Sequence, residues 1–204
     1  MLRKVMHSLK GSVTVEQQIR SMVSDHRASW IEVGQWVEPS TKQAIGFMTT
    51  ELGEAIDAYL RMLDFIRNNP QQADPARVIE EIFDVAMMAC VTLDSLSGVD
   101  RGVDAAYIPW VDAMFSDMMS AWMVAGRNGL PDRLAIMGAL ITSAGAISAN
   151  VNGGPRADAV YKKVIVLIET VLRFAVELIE SSGYDPIQVA HNKLEAMDQK
   201  RVQL

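Results

Sequence analysis

Apolar residues recur at intervals of three and four along almost the whole of this 204-residue chain, whereas alternating β-branched patterns are rare. This spacing is typical of helices that bury one face. The helices it predicts lie at about 15–37, 42–66, 75–96, 106–127, 132–150, 156–182 and 186–201. Proline and glycine turns, such as NGGP at 152–155 and GYDP at 183–186, separate them. The sequence therefore predicts an all-α protein, and its short connections favour a bundle of antiparallel helices.

The chain also carries an internal repeat. With a shift of 92 residues, nine of 32 aligned positions are identical, whereas composition alone would give roughly two. The identical pairs are Met22–Met114, Ser24–Ser116, Asp25–Asp117, Trp30–Trp122, Gly34–Gly126, Pro39–Pro131, Gly46–Gly138, Thr50–Thr142 and Gly53–Gly145. After the middle loop shortens by seven residues, LDSLSGVD at 93–100 aligns with LIESSGYD at 178–185.

We interpret this repeat as a tandem duplication that folds as a pseudo-dimer. A single helical domain would then span 1–204, with one repeat at about 15–104 and the other at about 105–204. The alternative is a pair of unrelated helical hairpins that both use Trp and Pro in their turns. The gapless register of the matches disfavours this alternative.

Composition excludes several classes of function. The net charge of -6 and the pI near 5.1 argue against a nucleic-acid partner, because phosphate contacts need clustered Lys and Arg. The single cysteine, Cys90, cannot form an intramolecular disulfide. The N-terminus has no apolar run of signal-peptide length, and the longest apolar runs are expected to be too short and too charged to span a bilayer. We therefore expect a cytoplasmic protein with no membrane partner.

Two acidic pairs stand beside apolar helix faces. Glu51 and Glu54 lie next to a stripe formed by Ile45, Met48, Leu52, Ala55 and Tyr59. Glu81 and Asp84 lie next to a stripe formed by Ile79, Ile82, Ala86, Ala89 and Leu93. Burying such carboxylates without a partner costs several kcal/mol each, so a cation between the two helices is predicted. Mg²⁺ suits this role because it binds carboxylate oxygens and keeps waters for a phosphate ligand. The alternative is a pair of solvated acidic faces.

The repeat offers a control within the same chain. In the second copy the four acids Glu51, Glu54, Glu81 and Asp84 align with Ser143, Ala146, Val166 and Glu169. Only one of the four positions keeps a carboxylate. Since the helical unit itself does not need these acids, they point to chemistry carried by the first copy, and the second repeat is degenerate.

The spacing E-x-x-E, 26 residues, E-x-x-D, within ELGEAIDA and EEIFDVAM, resembles the signature of the all-α NTP pyrophosphohydrolases. These are the MazG-like proteins and the dimeric dUTPases. The resemblance is specific over 45–96 and looser elsewhere. It implies a helical bundle and Mg²⁺-dependent hydrolysis of a nucleoside triphosphate to the monophosphate and pyrophosphate, with Mn²⁺ as a substitute ion. It also implies that Glu51, Glu54, Glu81 and Asp84 are metal ligands, and that one of them, or Glu80, orients the attacking water.

The family usually follows its second motif helix with a basic stretch that meets the phosphates. Here the first copy lacks this stretch, whereas DPIQVAHNKLEAMDQKR at 185–201 supplies Asn192, Lys193, Lys200 and Arg201. The resemblance thus implies a composite site, in which Lys193 and Arg201 neutralise the leaving pyrophosphate. Met197 stands where the family pattern has Asn. The alternative is an ordinary charged C-terminal helix.

Trp36 and Phe47 are the aromatic candidates for stacking on a nucleobase, because neither has an aromatic counterpart in the second copy. The resemblance implies a role in cleaning the nucleotide pool. It also implies a homodimer, since one-unit relatives assemble as dimers and tetramers. Two alternatives stay open: a degenerate protein that binds nucleotides without hydrolysing them, and a helical interaction module whose acids form an exposed docking face.

Overall fold

The computed structural model describes residues 13–34, 36–97, 129–149 and 157–202 of the chain. Within these ranges it contains six α-helices, one short 3-10 helix at Pro70–Gln72 and no β-strand. The α-helices are α1 (Val15–Glu32), α2 (Thr41–Asn68), α3 (Pro75–Ser95), α4 (Leu130–Ala149), α5 (Ala157–Ser181) and α6 (Pro186–Val202). The predicted all-α fold is therefore confirmed for the described ranges. The helix predicted at 106–127, which includes the repeat positions from 114 to 126, lies outside them.

Side-chain caps set where the first three helices begin. Thr14 and Ser40 each form a capping box with the glutamine three residues later, at the starts of α1 and α2. At α3, Asp74 accepts hydrogen bonds from the backbone N–H groups of Ala76 and Arg77. These caps hold the helix starts in place because they satisfy amide groups that a helix leaves unpaired. Their residue types and spacing also make them recognisable in the sequence.

Helix α1 ends five residues earlier than the apolar spacing predicts, at Glu32 instead of 37. Gly34 adopts a positive φ of 70°, a conformation that favours glycine and ends helices. Its N–H donates to the carbonyl of Ile31 at 2.9 Å. The chain then leaves the helix, and Trp36 folds back so that its ring lies 5.7 Å from that of Trp30.

Helices α2, α3, α4 and α5 form a bundle in which α2 and α5 each contact α3 and α4. Helices α1 and α6 pack against each other and against α3. Helix α3 therefore has neighbours on nearly every side, and residues 81–93 are all buried. The sequence predicts one buried stripe on α3, but the structure buries most of its circumference. Glu81 and Asp84 are carried into the interior by this packing.

Helix α4 is the one described helix that is long and apolar enough to cross a membrane, by length and composition alone. The expectation that the longest apolar runs are too short and too charged to span a bilayer is therefore wrong for α4 by these two measures. In the structure α4 packs against α2 and α5. A Cβ atom added at Gly138 would lie 3.4 Å from Leu52, and one at Gly145 would lie 3.5 Å from Ile45. Both distances are ordinary van der Waals contacts, so the two glycines lie at the interface of α4 with α2, where a methyl group would also fit.

Candidate metal centre

Three carboxylates meet where α2 faces α3. Glu51, Glu81 and Asp84 each bring one carboxylate oxygen to a position within 4.8 Å of the other two. In the described part of the chain this is the one group of three or more His, Cys, Asp or Glu residues with such spacing. Glu81 is 2 % exposed and Asp84 is 8 % exposed, whereas Glu51 is half-buried. We call these three residues the acidic trio.

Burial and mutual repulsion make negative charge costly in the acidic trio. Burial raises the pKa of Glu51 to about 7, and the charges of Asp84, Glu54 and Glu81 add to the effect. Burial likewise raises the pKa of Asp84 to about 6, although a hydrogen bond from Lys193 acts in the opposite direction. Such shifts arise when desolvation and like charges disfavour the ionised form. A cation placed among these oxygens would reverse both effects.

Two basic side chains approach the acidic trio. The Nζ atom of Lys193 donates to Oδ2 of Asp84 at 2.6 Å. Arg77 forms an ion pair with Glu81, one helical turn away, and its other terminal nitrogen lies 3.9 Å from Glu80. These cations offset part of the negative charge but leave one fully buried oxygen without a partner among the described residues.

That oxygen is Oδ1 of Asp84, which is buried and has no hydrogen-bond partner among the described residues. A buried acceptor with no partner costs free energy unless something absent from the protein atoms satisfies it. Because the acidic trio offers only carboxylate oxygens, it fits a hard divalent cation such as Mg²⁺ or Mn²⁺ better than a soft metal.

The other two predicted acids lie at the edge of the acidic trio. Glu54 is exposed and lines a cavity of about 310 Å³ together with Arg77 and Glu81. Glu80 is also exposed and lines a second cavity, of about 260 Å³, on the α6 side of α3. The structure therefore brings together three of the five predicted acids and leaves Glu54 and Glu80 beside them, open to solvent.

The second cavity is basic, and we call it the basic cavity. Asn192, Lys193 and Lys200 of α6 line it together with Arg77 of α3. Asn192 is exposed and accepts a hydrogen bond from Gln188 at 2.7 Å. The backbone of Arg201 belongs to the last turn of α6, and its side chain lies outside the described part of the structure.

The turn of α6 that holds Met197 and Asp198 packs against α1. Asp198, which follows Met197, accepts a hydrogen bond from Nε1 of Trp30 at 2.7 Å. Its other carboxylate oxygen lies 3.1 Å from Nε2 of His26. Asp198 thus anchors α6 on α1, so this turn of α6 serves packing.

The two aromatic candidates have different surroundings. Trp36 is partly buried beside Trp30 and does not line either cavity next to the acidic trio. Phe47 is 53 % exposed and lies one helical turn before Glu51 on α2. Of the two, Phe47 is the residue whose ring is open to a ligand from solvent.

Sequence reasoning missed two features of this region. Arg77 lines both cavities and forms an ion pair with Glu81. The four-residue spacing of Arg77 and Glu81 on one helix is visible in the sequence and would have indicated this pair. Met62 and Phe65 give the 310 Å³ cavity an apolar wall. No local pattern distinguishes them from other apolar residues of α2, since only the packing of α2 against α3 creates the cavity.

No family model, curated protein or solved structure matches this chain. The site itself combines three features: an acidic trio with two buried members, a buried oxygen of Asp84 without a partner among the described residues, and a basic cavity lined by the adjacent helix α6.

Proposed function

We propose that this protein is a Mg²⁺-dependent nucleoside triphosphate pyrophosphohydrolase of the MazG-like type. It would convert a ribo- or deoxyribonucleoside triphosphate and water into the monophosphate and pyrophosphate, and so clean the nucleotide pool. One observation carries the proposal: the acidic trio contains an unpartnered buried oxygen and lies beside the basic cavity. Such a pair of neighbouring sites suits a cation and the polyphosphate that the cation accompanies.

Glu51, Glu81 and Asp84 would hold the metal, and Glu54 would lie at the edge of this group, where it lines the 310 Å³ cavity together with Glu81. When bound, Mg²⁺ supplies positive charge for the phosphate oxygens and makes a water molecule more acidic. Glu81 is held in place by Arg77 and Asp84 by its position in the buried part of α3. This preorganisation supports the proposal, because catalytic charges that are already oriented need no rearrangement during the reaction.

The reaction adds water across the bond between the α and β phosphates. A water oxygen forms a bond to phosphorus, the bridging P–O bond breaks, and pyrophosphate leaves with the electron pair of that bond. An exposed carboxylate at the edge of the acidic trio, Glu54 or Glu80, would orient the water and accept its proton. Lys193, Asn192 and Arg201 would bind the departing pyrophosphate.

The nucleoside end of the substrate has two candidate positions. Phe47 offers an exposed ring before Glu51. The 310 Å³ cavity offers an apolar wall from Met62 and Phe65 on the other side of Glu54. Trp36 is the weaker of the predicted stacking residues, because its ring packs beside Trp30.

The tandem duplication is part of the same proposal. Under the repeat, α2 corresponds to α4 and α3 corresponds to α5. The contacts of α2 with α4 and of α3 with α5 are those that a pseudo-twofold arrangement would produce. The pairing of Asp84, from the first repeat, with Lys193, from the second, supports a single composite site. We further propose that the protein forms a homodimer, as the resemblance implies, and that it is cytoplasmic, as its single cysteine permits.

The two alternatives make different demands on the site. An interaction module with an acidic docking face would need exposed acids, and the burial of Glu81 and Asp84 argues against it. Nucleotide binding without hydrolysis fits the same geometry and differs only in the absence of turnover.

The test is pyrophosphate release from a panel of ribo- and deoxyribonucleoside triphosphates, with Mg²⁺ and with EDTA. We expect release from at least one nucleotide with Mg²⁺, and its loss in Glu54→Ala and Asp84→Ala proteins that keep their helical circular dichroism. Glu169→Ala is the matched control, because it removes the acid that aligns with Asp84 in the second repeat. Tight Mg²⁺-dependent nucleotide binding without release would favour the binding protein, and activity in EDTA would contradict the proposal.

A further inference from the structure

Lys193 links the last described helix to the acidic trio. It hydrogen-bonds to Asp84 across 109 residues of sequence, and the two side chains are only 21 % and 11 % exposed. An ammonium group has three N–H donors, whereas the contact with Asp84 uses one of them. Lys193 therefore places a positive charge where the acidic trio needs one.

Among the described residues, Lys193 is the cation that hydrogen-bonds to Asp84. Arg77 instead forms ion pairs with Glu81 and, at a longer distance, with Glu80. Without a metal, the ammonium of Lys193 is thus the counter-charge of Asp84.

A divalent cation held by the acidic trio would compete with this contact. It would need oxygens of Asp84, and it would lie within a few ångströms of the ammonium group, where two positive charges repel strongly in a partly buried site. Lysine has a long flexible stem, so its charge can move without a change in the backbone. The basic cavity, lined by Asn192 and Lys200, lies next to Lys193 and offers its ammonium a new position.

We propose that Lys193 is an exchangeable counter-ion: its ammonium holds Asp84 until a divalent cation binds, and then moves into the basic cavity to bind phosphate oxygens. This inference rests on the metal site in the proposed function. It predicts an order of binding: the metal binds first and releases the ammonium group of Lys193, which then binds the polyphosphate. The ammonium group of Lys193 is therefore never required by Asp84 and by the phosphate at the same time.

The first test measures Mn²⁺ binding by titration calorimetry in the wild-type protein and in Lys193→Met, which keeps the length of the stem and removes the charge. Since the metal no longer has to displace a cation, we expect Lys193→Met to bind Mn²⁺ about tenfold more tightly. Lys193→Arg keeps the charge and should bind Mn²⁺ as weakly as the wild-type protein does. Lys200→Met removes a charge from the same cavity without touching Asp84, and its Mn²⁺ affinity should stay within about twofold of the wild-type value.

The second test observes the exchange directly. In a protein with ¹³C-labelled lysine, the Cε–Hε signal of Lys193 is identified by its absence from the spectrum of Lys193→Met. Addition of Mg²⁺ should move this signal towards the position of a solvent-exposed lysine, while the signals of lysines far from the site stay in place.

The outcomes separate this inference from the proposed function. If the wild-type protein binds Mn²⁺ but Lys193→Met binds it equally or less tightly, the exchange is wrong and the metal site stands. The same conclusion follows if the Cε–Hε signal of Lys193 does not move when Mg²⁺ is added to saturation. If neither protein binds Mn²⁺, both proposals fail. Should Lys193→Met lose its helical circular dichroism, Lys193→Gln replaces it with the same expected results.

Discussion

Nζ of Lys193 lies 2.6 Å from Oδ2 of Asp84, and this contact joins α6 to the buried helix α3. The acidic trio comes entirely from α2 and α3, whereas its nearest lysine comes from the end of the chain. The site therefore brings together side chains from both halves of the chain. A fragment that ends after α3 would keep the acids but lack Lys193 and the basic cavity.

The stability of the metal-free protein should fall as pH rises. The pKa of Glu51 is raised from 4.5 to about 7, so the folded chain binds protons more readily than the unfolded chain. Protonation thus stabilises the folded state at low pH, and this contribution is lost as pH rises from 4.5 through about 7. Asp84, with its pKa raised from 3.8 to about 6, acts in the same direction.

The measurement is urea unfolding in EDTA at several pH values. Glu51→Gln is uncharged at every pH, so its free energy of unfolding should fall less steeply than that of the wild-type protein. Equal slopes for the two proteins would show that folding does not raise the pKa of Glu51.

Mg²⁺ should stabilise the wild-type protein by mass action, because a cation that binds only the folded state shifts the unfolding equilibrium. At a Mg²⁺ concentration one hundred times the dissociation constant, the gain is about 2.7 kcal/mol. Differential scanning calorimetry with Mg²⁺ and with EDTA measures it as a rise in melting temperature. Asp84→Ala should lose this rise and Glu169→Ala should keep it. A rise that survives in Asp84→Ala would mean that the stabilising ion binds elsewhere.

Asp198→Ala should destabilise the protein by about 1–2 kcal/mol. The change removes the acceptor for Nε1 of Trp30 and the carboxylate beside His26, which together hold α6 on α1. Chemical denaturation provides the measurement. Glu195→Ala is a suitable control, because the ion pair that Glu195 makes within the described residues is a long one, 3.7 Å from His191 on the surface of the same helix. Equal stability of the two variants would show that the Trp30 contact contributes little.

Phe47→Ala and Phe65→Ala distinguish the two positions for the nucleobase. Loss of a stacking side chain costs about 1–3 kcal/mol, so the variant that removes the base contact should raise the KM of the preferred nucleotide about tenfold or more. Because both residues are exposed, Phe47 at 53 % and Phe65 at 37 %, truncation of either should leave the fold intact. Equal KM values in both variants and the wild-type protein would exclude both positions.

Several parts of this fold follow from local sequence. The apolar spacing locates α2 and α3 well, and the capping boxes at Thr14 and Ser40 mark helix starts within a single turn of chain. Local spacing also places Glu81 and Asp84 on the same side of α3, since residues three apart share a helix face. The same spacing extends α1 too far, because the positive φ of Gly34 ends the helix before the apolar pattern does.

Other parts of the site lie beyond local pattern. Glu51 and Glu54 have the same spacing as Glu81 and Asp84, yet only Glu51 joins the acidic trio, because the neighbours of α2 bury one of its sides and leave Glu54 exposed. The roles of Trp36 and Asp198 likewise depend on partners that meet only after helix packing.

The sequence by itself determined the helical character of the described chain and the presence of acids beside apolar helix faces, because both depend on residues within a few turns of one another. Only the tertiary structure decided which acids lie close together, which of them are buried and which basic side chain contacts them. Those properties depend on long-range packing around α3, which brings Lys193 to Asp84 and removes water from the oxygens of the acidic trio. Desolvation and charge repulsion at short distance, and not the order of residues, set the chemistry of the site.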